Sequence, residues 1–354
     1  MPEKLIYFAL LIILFCSCEE IYTPAIEPID GKLVVEALIT NDVTKNFVRL
    51  TKTSSFYNKL QAQPALGAKV DLVEINGNVV RATEGIPGVF SFSTTPVEGK
   101  NYMLRITYLG DNYESEIVTM PPLPSYENFY TENIVKKIYR TDSYGVPNAY
   151  DLHGQEVYID LPVSSALSHY RFETRSVSEW VYSPPGWDAP PPPPTYGWQS
   201  FIDNTKFNVA GPKKFSQTEK IEKHPLVLLP YKSSDYLESD SLVSQGWILI
   251  IDQYGTSKGS FDYREELNSQ FAAKGSLFDP IQTQVYGNIT CKSYPPKNVY
   301  GYFELNSYRH FRYFIYTSGP DYPIIMRQIF TYPDIPYDGK HPGFRPDWWQ
   351  YSAM

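Results

Sequence analysis

Apolar and polar residues alternate through much of the chain after residue 31, and a period of two is typical of half-buried β-strands. The run NYMLRITY at residues 101 to 108 is the clearest case. Its even-numbered residues are Tyr, Leu, Ile and Tyr, whereas Met103, Arg105 and Thr107 point to the opposite face. We therefore predict a strand here with one face in a hydrophobic core and the other toward solvent.

Similar runs follow one another closely between residues 32 and 122. Asn76-Gly77 separates two of them, and this dipeptide favours the positive φ angles of a tight hairpin turn. Short strands with turns about every ten residues predict an immunoglobulin-like β-sandwich over residues 32–122. The predicted strands are residues 32–40, 47–53, 69–75, 79–83, 89–93, 101–108 and 113–120.

A larger β-rich domain with one or two short helices is predicted over residues 125–354. Ser260 is the predicted N-cap of a helix whose apolar residues recur at Tyr263, Leu267 and Phe271, and Gly275 is its predicted stop. The fold class is therefore mainly β. The predicted strands of this domain are residues 154–163, 169–177, 246–254, 284–290, 299–305 and 311–317.

The first residues are typical of an export signal. Leu5 to Phe15 is unbroken apolar sequence, too short to cross a bilayer but the length of a signal-peptide core. Because it ends Phe15-Cys16-Ser17-Cys18, with a small residue before a cysteine, we predict a signal peptide at residues 1–17 and lipid modification of Cys18. The alternatives are modification of Cys16, or an ordinary secretory signal with two unmodified cysteines. We predict that residues 18–31 form a lipidated tether.

Composition bears on the partners, the secondary structure and the source of stability. The net charge of −8 is a poor match for nucleic acid, so we predict no nucleic-acid partner. The 30 Tyr and 30 Pro residues favour strands and loops over helices. With Cys18 lipidated, Cys291 is the one remaining thiol, so stability must come from buried apolar surface and not from a disulfide.

One motif invites a catalytic interpretation. Residues 255 to 259 match G-x-S-x-G between a predicted strand and a predicted helix, which would make Ser257 a nucleophile, with Asp279 and His310 completing a triad. A nucleophile elbow, however, belongs to alternating β and α elements, and this sequence does not predict them. We favour a polar loop, and we predict that the protein is not an enzyme.

Metal and cofactor sites are not predicted. The five histidines have neither HxH nor HExxH spacing. The acidic run from Ser234 to Asp240 lacks the glycine of a calcium-binding loop. We therefore expect neither a metal nor a cofactor. The histidines are His153, His169, His224, His310 and His341.

Residues 179–199 are the most unusual stretch of the sequence. Consecutive prolines from Pro190 to Pro194 favour a polyproline II rod, and aromatic residues flank it on both sides. Exposed, these aromatics would form a candidate binding loop for a glycan or a partner protein; folded back, they would cover the sandwich. We favour the second interpretation. The aromatics are Trp180, Tyr182, Trp187, Tyr196 and Trp198.

Several segments resemble a known family. CSCEE, GKLVVEALIT, PGVFSF, EGKNYMLRI, MPPLP, GSLFDPIQTQVYGNI, VYGYFELNSYRHFRYFI and RPDWW are similar to Bacteroidota lipoproteins of the domain of unknown function 4249 family. The resemblance implies an outer-membrane lipoprotein whose first domain is like a carboxypeptidase regulatory-like sandwich, often encoded near TonB-dependent receptors. It implies no established activity.

The expected function follows from the anchor, the two β domains and this resemblance. We expect a non-catalytic outer-membrane lipoprotein that faces the cell surface and serves as an accessory or ligand-capturing partner of a TonB-dependent importer. The alternative is a surface glycan- or ligand-binding module that acts alone. A serine hydrolase that uses Ser257 is the third and least favoured reading.

Overall fold

A computed structural model of the chain describes residues 31–54, 62–141, 144–182, 195–202, 206–212, 220–231, 243–272, 284–316, 325–328 and 339–342. This part of the chain is mainly β, as predicted. It contains one α-helix, α1 (Lys258–Ala272), and a 3-10 turn at Val43–Lys45. The strands are β1 (Leu33–Thr40), β2 (Phe47–Lys52), β3 (Gln63–Pro64), β4 (Lys69–Glu74), β5 (Val79–Arg81), β6 (Thr83–Ile86), β7 (Val89–Ser91), β8 (Asn101–Tyr108), β9 (Asp111–Ser115), β10 (Val118–Thr119), β11 (Asn128–Thr141), β12 (Pro147–Pro162), β13 (His169–Tyr182), β14 (Thr195–Ile202), β15 (Asn208–Ala210), β16 (Lys220–Pro230), β17 (Val243–Thr256), β18 (Ile289–Cys291), β19 (Val299–Tyr316), β20 (Ile325–Gln328) and β21 (Gly339–Pro342).

The strands form three sheets. A 12-stranded sheet has the order β21-β14-β13-β17-β19-β1-β2-β7-β6, with β15, β20 and β3 paired at its sides. A 6-stranded sheet has the order β18-β9-β8-β4-β5, with β10 paired to β8. The third sheet is the antiparallel set β11-β12-β16. The two smaller sheets pack against the same face of the large one. The odd-numbered residues of β1 enter the first core, those of β17 enter the second, and those of β19 enter both.

The first core confirms the sandwich predicted from the alternation. The even-numbered residues of β8 are buried, and they pack against the odd-numbered residues of β1 across the two sheets. Asn76 has a φ of 61°, as expected for the predicted hairpin turn between β4 and β5. This sandwich also uses strands from much later in the chain, since Ile289 of β18 and Phe303 of β19 belong to the same core.

The parallel pairing of β1 with β19 joins the first strand of the described chain to one that comes much later in the sequence. All eight residues of β1 have partners in β19, from Leu33 opposite Val299 to Thr40 opposite Asn306. Gly301 permits this approach: its φ is 94°, and a Cβ atom there would lie 1.9 Å from the carbonyl oxygen of Val35. A larger residue at position 301 would therefore push the two strands apart.

A second core lies between β13, β17 and β19 on one side and β12 and β16 on the other. Because β19 is long, it supplies Phe303 to the first core and Phe311 to the second. Pro122, the last residue of the predicted sandwich, contacts β19 between the residues that β19 gives to the two cores: Ser307 Oγ donates to the carbonyl oxygen of Pro122 at 2.6 Å. Backbone hydrogen bonds thus connect residues 32–122 with the later segment, and a division into two independent domains at 122–125 stays a prediction.

Several predicted elements differ from the structure. The runs predicted as separate strands at 299–305 and 311–317 form the single strand β19, and the run predicted at 284–290 is a strand only at Ile289–Cys291. The predicted helix is present, but Ser260 is not its N-cap. Ser260 is buried within α1, and Ser257 caps the helix by accepting a hydrogen bond from the Ser260 amide through its Oγ at 3.2 Å. Gly275 lies outside the described residues.

Candidate functional site

The strands β13, β17 and β19 carry a face rich in polar and charged residues on the side of the large sheet away from both cores. Strand register places these side chains next to one another: Asp252 is opposite His310 and Glu173, and Tyr254 is opposite Tyr308 and Arg171. We call this surface the polar face. It comprises Arg171, Glu173, Asp252, Tyr254, Glu304, Asn306, Tyr308 and His310, and α1 covers one end of it.

Asp252 is the hub of the open end of the polar face. Its Oδ1 accepts hydrogen bonds from Tyr308 OH at 2.7 Å and from His310 Nδ1 at 2.6 Å. Its Oδ2 accepts from Lys45 Nζ at 2.8 Å, which ties the 3-10 turn to the sheet. The strand-to-turn segment is held further by Asn41, whose Oδ1 accepts from the Tyr308 amide. Residues from three separate segments therefore meet on one carboxylate.

These contacts keep Asp252 ionised. Burial would raise its pKa, but hydrogen bonds from His310, Lys45 and Tyr308 outweigh burial and lower the pKa to about 2. The same carboxylate and the burial of the phenol raise the pKa of Tyr308, so its hydroxyl stays protonated and remains a donor. The site is thus a fixed array of one acceptor and three donors.

A cleft of about 510 Å³ opens beside this array. In addition to Lys45, Asp252, Tyr308 and His310, it is lined by Asp42, Thr44, Glu173, Thr174, Arg175, Ile202 and Ile250. An aspartate that orients a histidine is the acid–base half of a hydrolytic triad. The described residues that line the cleft, however, include neither serine nor cysteine, and the hydroxyl of Tyr308 is committed to Asp252. The arrangement is suited to hydrogen bonding with a ligand.

Ser257 lies away from this histidine. It is five positions beyond Asp252 along the chain, or roughly 16 Å at about 3.3 Å per strand residue. The strand before it, β17, is antiparallel to both of its neighbours, unlike the strand of a nucleophile elbow. The motif's first glycine serves packing, since a Cβ at Gly255 would lie 2.5 Å from Ser307 Oγ. Asp279 lies outside the described residues, and His310 is bound to Asp252 instead.

The covered end of the polar face holds a buried ion network. Arg171 and Glu304 are each only 4% exposed, and Arg171 Nε lies 3.8 Å from Glu304 Oε2. Arg264 of α1 donates to the other oxygen of Glu304, and Arg171 Nη1 contacts Glu173 Oε1 at 3.0 Å. Burial disfavours both charges, but the neighbouring opposite charges outweigh it: the pKa of Glu304 is lowered and that of Arg171 is raised.

A second cavity, of about 440 Å³, adjoins the cleft. It lies along the edge of β13 where, among the described residues, β15 pairs with residues 170–172 and β14 with residues 175–182. Glu173 and Thr174 therefore face no partner strand on that edge in the described part of the chain. Together with Ile202 they line both cavities, so the two spaces are neighbours, and we call the pair the depression.

The predicted binding loop is only partly described. Trp180 and Tyr182 belong to β13, and Tyr196 and Trp198 belong to β14, so backbone pairing makes the flanks of residues 179–199 a β-hairpin and not a loop. Trp187 and the proline run lie outside the described residues, as do the side chains of the other four aromatics. Whether these aromatics bind a ligand stays a prediction.

Cys18 and the tether at 18–31 also lie outside the described residues, apart from Gly31. Among the residues that the structure describes, no helix is long and apolar enough to cross a membrane. The same residues hold no group of three or more His, Cys, Asp or Glu side chains that could bind a metal ion. The acidic run from Ser234 to Asp240 is outside this part of the chain.

Most of the site residues that the sequence analysis did not identify are charged residues beside apolar ones in a strand. Asp252 interrupts the apolar run WILII, and Arg171 and Glu304 likewise stand between apolar or aromatic neighbours. A charged residue inside a buried strand needs a partner, so each of these positions could have been marked as a site candidate. Lys45 gives no such signal, because it lies in a short polar turn.

Comparison with known proteins identifies one relationship. The sequence model of a family described as a domain of unknown function (DUF4249) matches residues 19–312. Neither the curated proteins nor the solved structures contain a match.

Proposed function

Because the chain belongs to the DUF4249 family, whose description assigns no activity, we propose from the molecule itself that it is a non-catalytic protein that captures a ligand. The observation that carries this proposal is the depression, the pair of neighbouring cavities beside Glu173 and Thr174 of β13. Its two parts, about 510 and 440 Å³, lie within the ~300–1,000 Å³ of small-molecule sites.

The contacts around the depression support binding rather than catalysis. Lys45, Tyr308 and His310 are held by one carboxylate before any ligand arrives, which lowers the ordering cost of binding. The serine of the G-x-S-x-G motif caps a helix through its Oγ instead of facing an activated histidine.

We further propose that the protein is anchored to the outer membrane through Cys18, faces the cell surface and acts as an accessory of a TonB-dependent importer. The segment Phe15-Cys16-Ser17-Cys18 supports lipid modification, and Glu19 and Glu20 directly after it are acidic residues of the kind expected for surface display. Anchoring beside an importer would raise the effective concentration of a captured ligand at its entrance.

The anchor can be tested directly. Cys18→Ala should move the protein from the membrane fraction to the soluble fraction and abolish metabolic labelling with fatty acid. Cys16→Ala is the matched control and should leave both properties unchanged. Retention of the label by the Cys18→Ala protein would refute anchoring at Cys18.

Capture and partnership need a second experiment. The tagged full-length protein is isolated from its native membrane under mild conditions, and bound small molecules and proteins are identified by mass spectrometry. A retained ligand together with a TonB-dependent receptor supports the proposal. A ligand without a receptor favours the alternative, a surface binding module that acts alone, and the absence of any ligand contradicts capture.

A further inference from the structure

The two parts of the depression differ in charge. The cleft beside Asp252 has three carboxylates, Asp42, Glu173 and Asp252, against the cations Lys45 and Arg175. The smaller cavity has three cations, Lys136, Arg171 and Lys206, against two carboxylates, Glu156 and Glu173. The smaller cavity is therefore net positive, in a chain whose net charge is −8.

The carboxylates of the smaller cavity are already engaged. Glu156 Oε2 accepts a hydrogen bond from Tyr158 OH at 2.5 Å. Glu173 binds Arg171 through Oε1 and accepts from Tyr254 OH through Oε2 at 3.3 Å. In the described part of the chain, Lys136 and Lys206 have no carboxylate within salt-bridge distance, so their donors remain for a ligand.

Arg171 supplies the strongest reason to expect an anion. Its side chain is only 5% exposed, and its Nη2 has no hydrogen-bond partner among the described residues. A buried guanidinium N–H without a partner costs free energy, so such a group calls for an occupant such as an ion, a water or a ligand. The planar guanidinium is also well matched to a carboxylate or phosphate.

The remaining wall of the smaller cavity is apolar. Of the lining residues, Phe172, Leu226 and Val227 are buried, and Phe207, Ile202 and Phe271 are more exposed. Asn208 does not compete for the ligand, because its Nδ2 donates to the carbonyl oxygens of Pro225 and Leu226. The cavity therefore offers a ligand both cationic groups and apolar surface.

We propose that this cavity binds a small amphipathic organic anion, with its anionic group toward Arg171, Lys136 and Lys206 and its apolar body against Phe207 and Leu226. This assignment deepens the proposed capture function and rests on it. At about 440 Å³ the cavity fits a compact aromatic or branched aliphatic acid, since drug-sized ligands need ~300 Å³ or more.

A series of ligands matched in shape tests the charge preference. The full-length protein is titrated by calorimetry with 4-phenylbutyrate, 4-phenylbutyramide and 4-phenylbutylamine, in phosphatidylcholine nanodiscs if it is retained in the membrane fraction and in buffer if it is not. The carboxylate should bind about tenfold or more tightly than the amide, because charge-assisted hydrogen bonds are the stronger ones. The amine should not bind. Higher salt should weaken the carboxylate alone.

Charge reversal tests the location. Lys136→Glu combined with Lys206→Glu should weaken phenylbutyrate about tenfold or more, while Lys69→Glu combined with Lys292→Glu, the same charge change at exposed positions elsewhere, should leave it unchanged. Equal binding of acid and amide, an unaffected Lys136/Lys206 variant, or no binding by the series would overturn the proposal. If the variant does not fold, the ligand and salt series on the unmodified protein decides.

Failure of this assignment is distinct from failure of the proposed function. If the protein isolated from its native membrane retains a neutral or cationic ligand, the proposal that the ligand is an anion is refuted, but the capture function is supported. No retained ligand, together with no binding in the series, would refute both.

Discussion

The two faces of the sheet formed by β13, β17 and β19 bury their side chains in opposite ways. On the core face, Phe172, Leu249 and Phe311 pack against a second sheet. On the polar face, Arg171 and Glu304 are almost as completely buried, but they are stabilised by each other and by α1. The same strands thus combine an apolar surface that holds the fold with a charged surface that organises a site.

The difference lies in how each face tolerates change. An apolar contact that is lost leaves a cavity, and its cost depends on how far the surroundings can relax. A buried ion that loses its partner keeps its full desolvation cost, so the free energy of unfolding falls strongly. Replacing all the ions with apolar residues, in contrast, can leave stability nearly unchanged. The following changes test this contrast in order of expected effect.

Glu304→Gln should have the largest effect. It leaves the buried Arg171 and its neighbour Arg264 without their shared carboxylate, and should lower the free energy of unfolding by about 3–5 kcal/mol in urea denaturation. The double variant Glu304→Leu with Arg171→Leu should cost less than either single leucine variant. Additive costs in this cycle would show that the network is not coupled, and would remove the contrast between the faces.

Leu249→Ala tests the core face. Leu249 is fully buried beside Ile251 and Phe311, and its truncation should lower the free energy of unfolding by about 2–5 kcal/mol. The cost should not vary with pH, because no ionised group is removed. Leu123→Ala, at an exposed leucine, is the control and should change stability by less than about 0.5 kcal/mol. A small effect at Leu249 would mean that the core face is not tightly packed.

Asp252→Asn should give a pH-dependent loss. The pKa of Asp252 is lowered from 3.8 to about 2 in the folded protein, so its charge contributes stability above pH 3.8 that disappears as pH falls through about 2. The difference corresponds to about 2 kcal/mol at neutral pH. Unfolding at several pH values should therefore show the parent and variant converging between pH 4 and pH 2. A difference that stays constant would indicate lost packing rather than a lost charge.

Ser257→Ala should have the smallest effect. The removal of an N-cap side chain costs about 0.5–2 kcal/mol, and Ser257, which the sequence placed in a polar loop, is the N-cap of α1. Ser257→Asp, which can also cap, should restore most of that stability. Neither change should alter any hydrolytic activity. Labelling of Ser257 by a fluorophosphonate probe would revive the hydrolase alternative and contradict a purely structural role.

Local patterns predicted the elements, and non-local pairing determined the rest. The alternation in β8 identified a half-buried strand, and Asn76-Gly77 correctly marked the hairpin turn between β4 and β5. β11 was missed because residues such as Lys136 and Lys137 leave no clean alternation, and β16 was missed because Pro225 and Pro230 bound its short apolar run. Their pairing with β12 supplies what their sequences do not show.

The candidate site shows the same limit. His310 was noticed from the sequence only as a member of the disfavoured triad with Asp279. Its partner in the structure is Asp252, which it meets through the register of β17 with β19. Register depends on the hydrophobic faces of both strands and on the length of everything between them. The contact between Asp252 and Lys45 depends in addition on where the 3-10 turn lies. It therefore follows from the folded structure and not from the local sequence.

The parallel pairing of β1 with β19 also constrains the order in which the chain can mature. The first strand is made early, but its partner along one edge is separated from it by most of the sequence. During synthesis, the amide and carbonyl groups along that edge stay unpaired until β19 is made, a condition that favours association between chains. Closure of such a distant contact is slow. We expect the nascent protein to depend on a chaperone that shields β1, and chains truncated before residue 299 to aggregate.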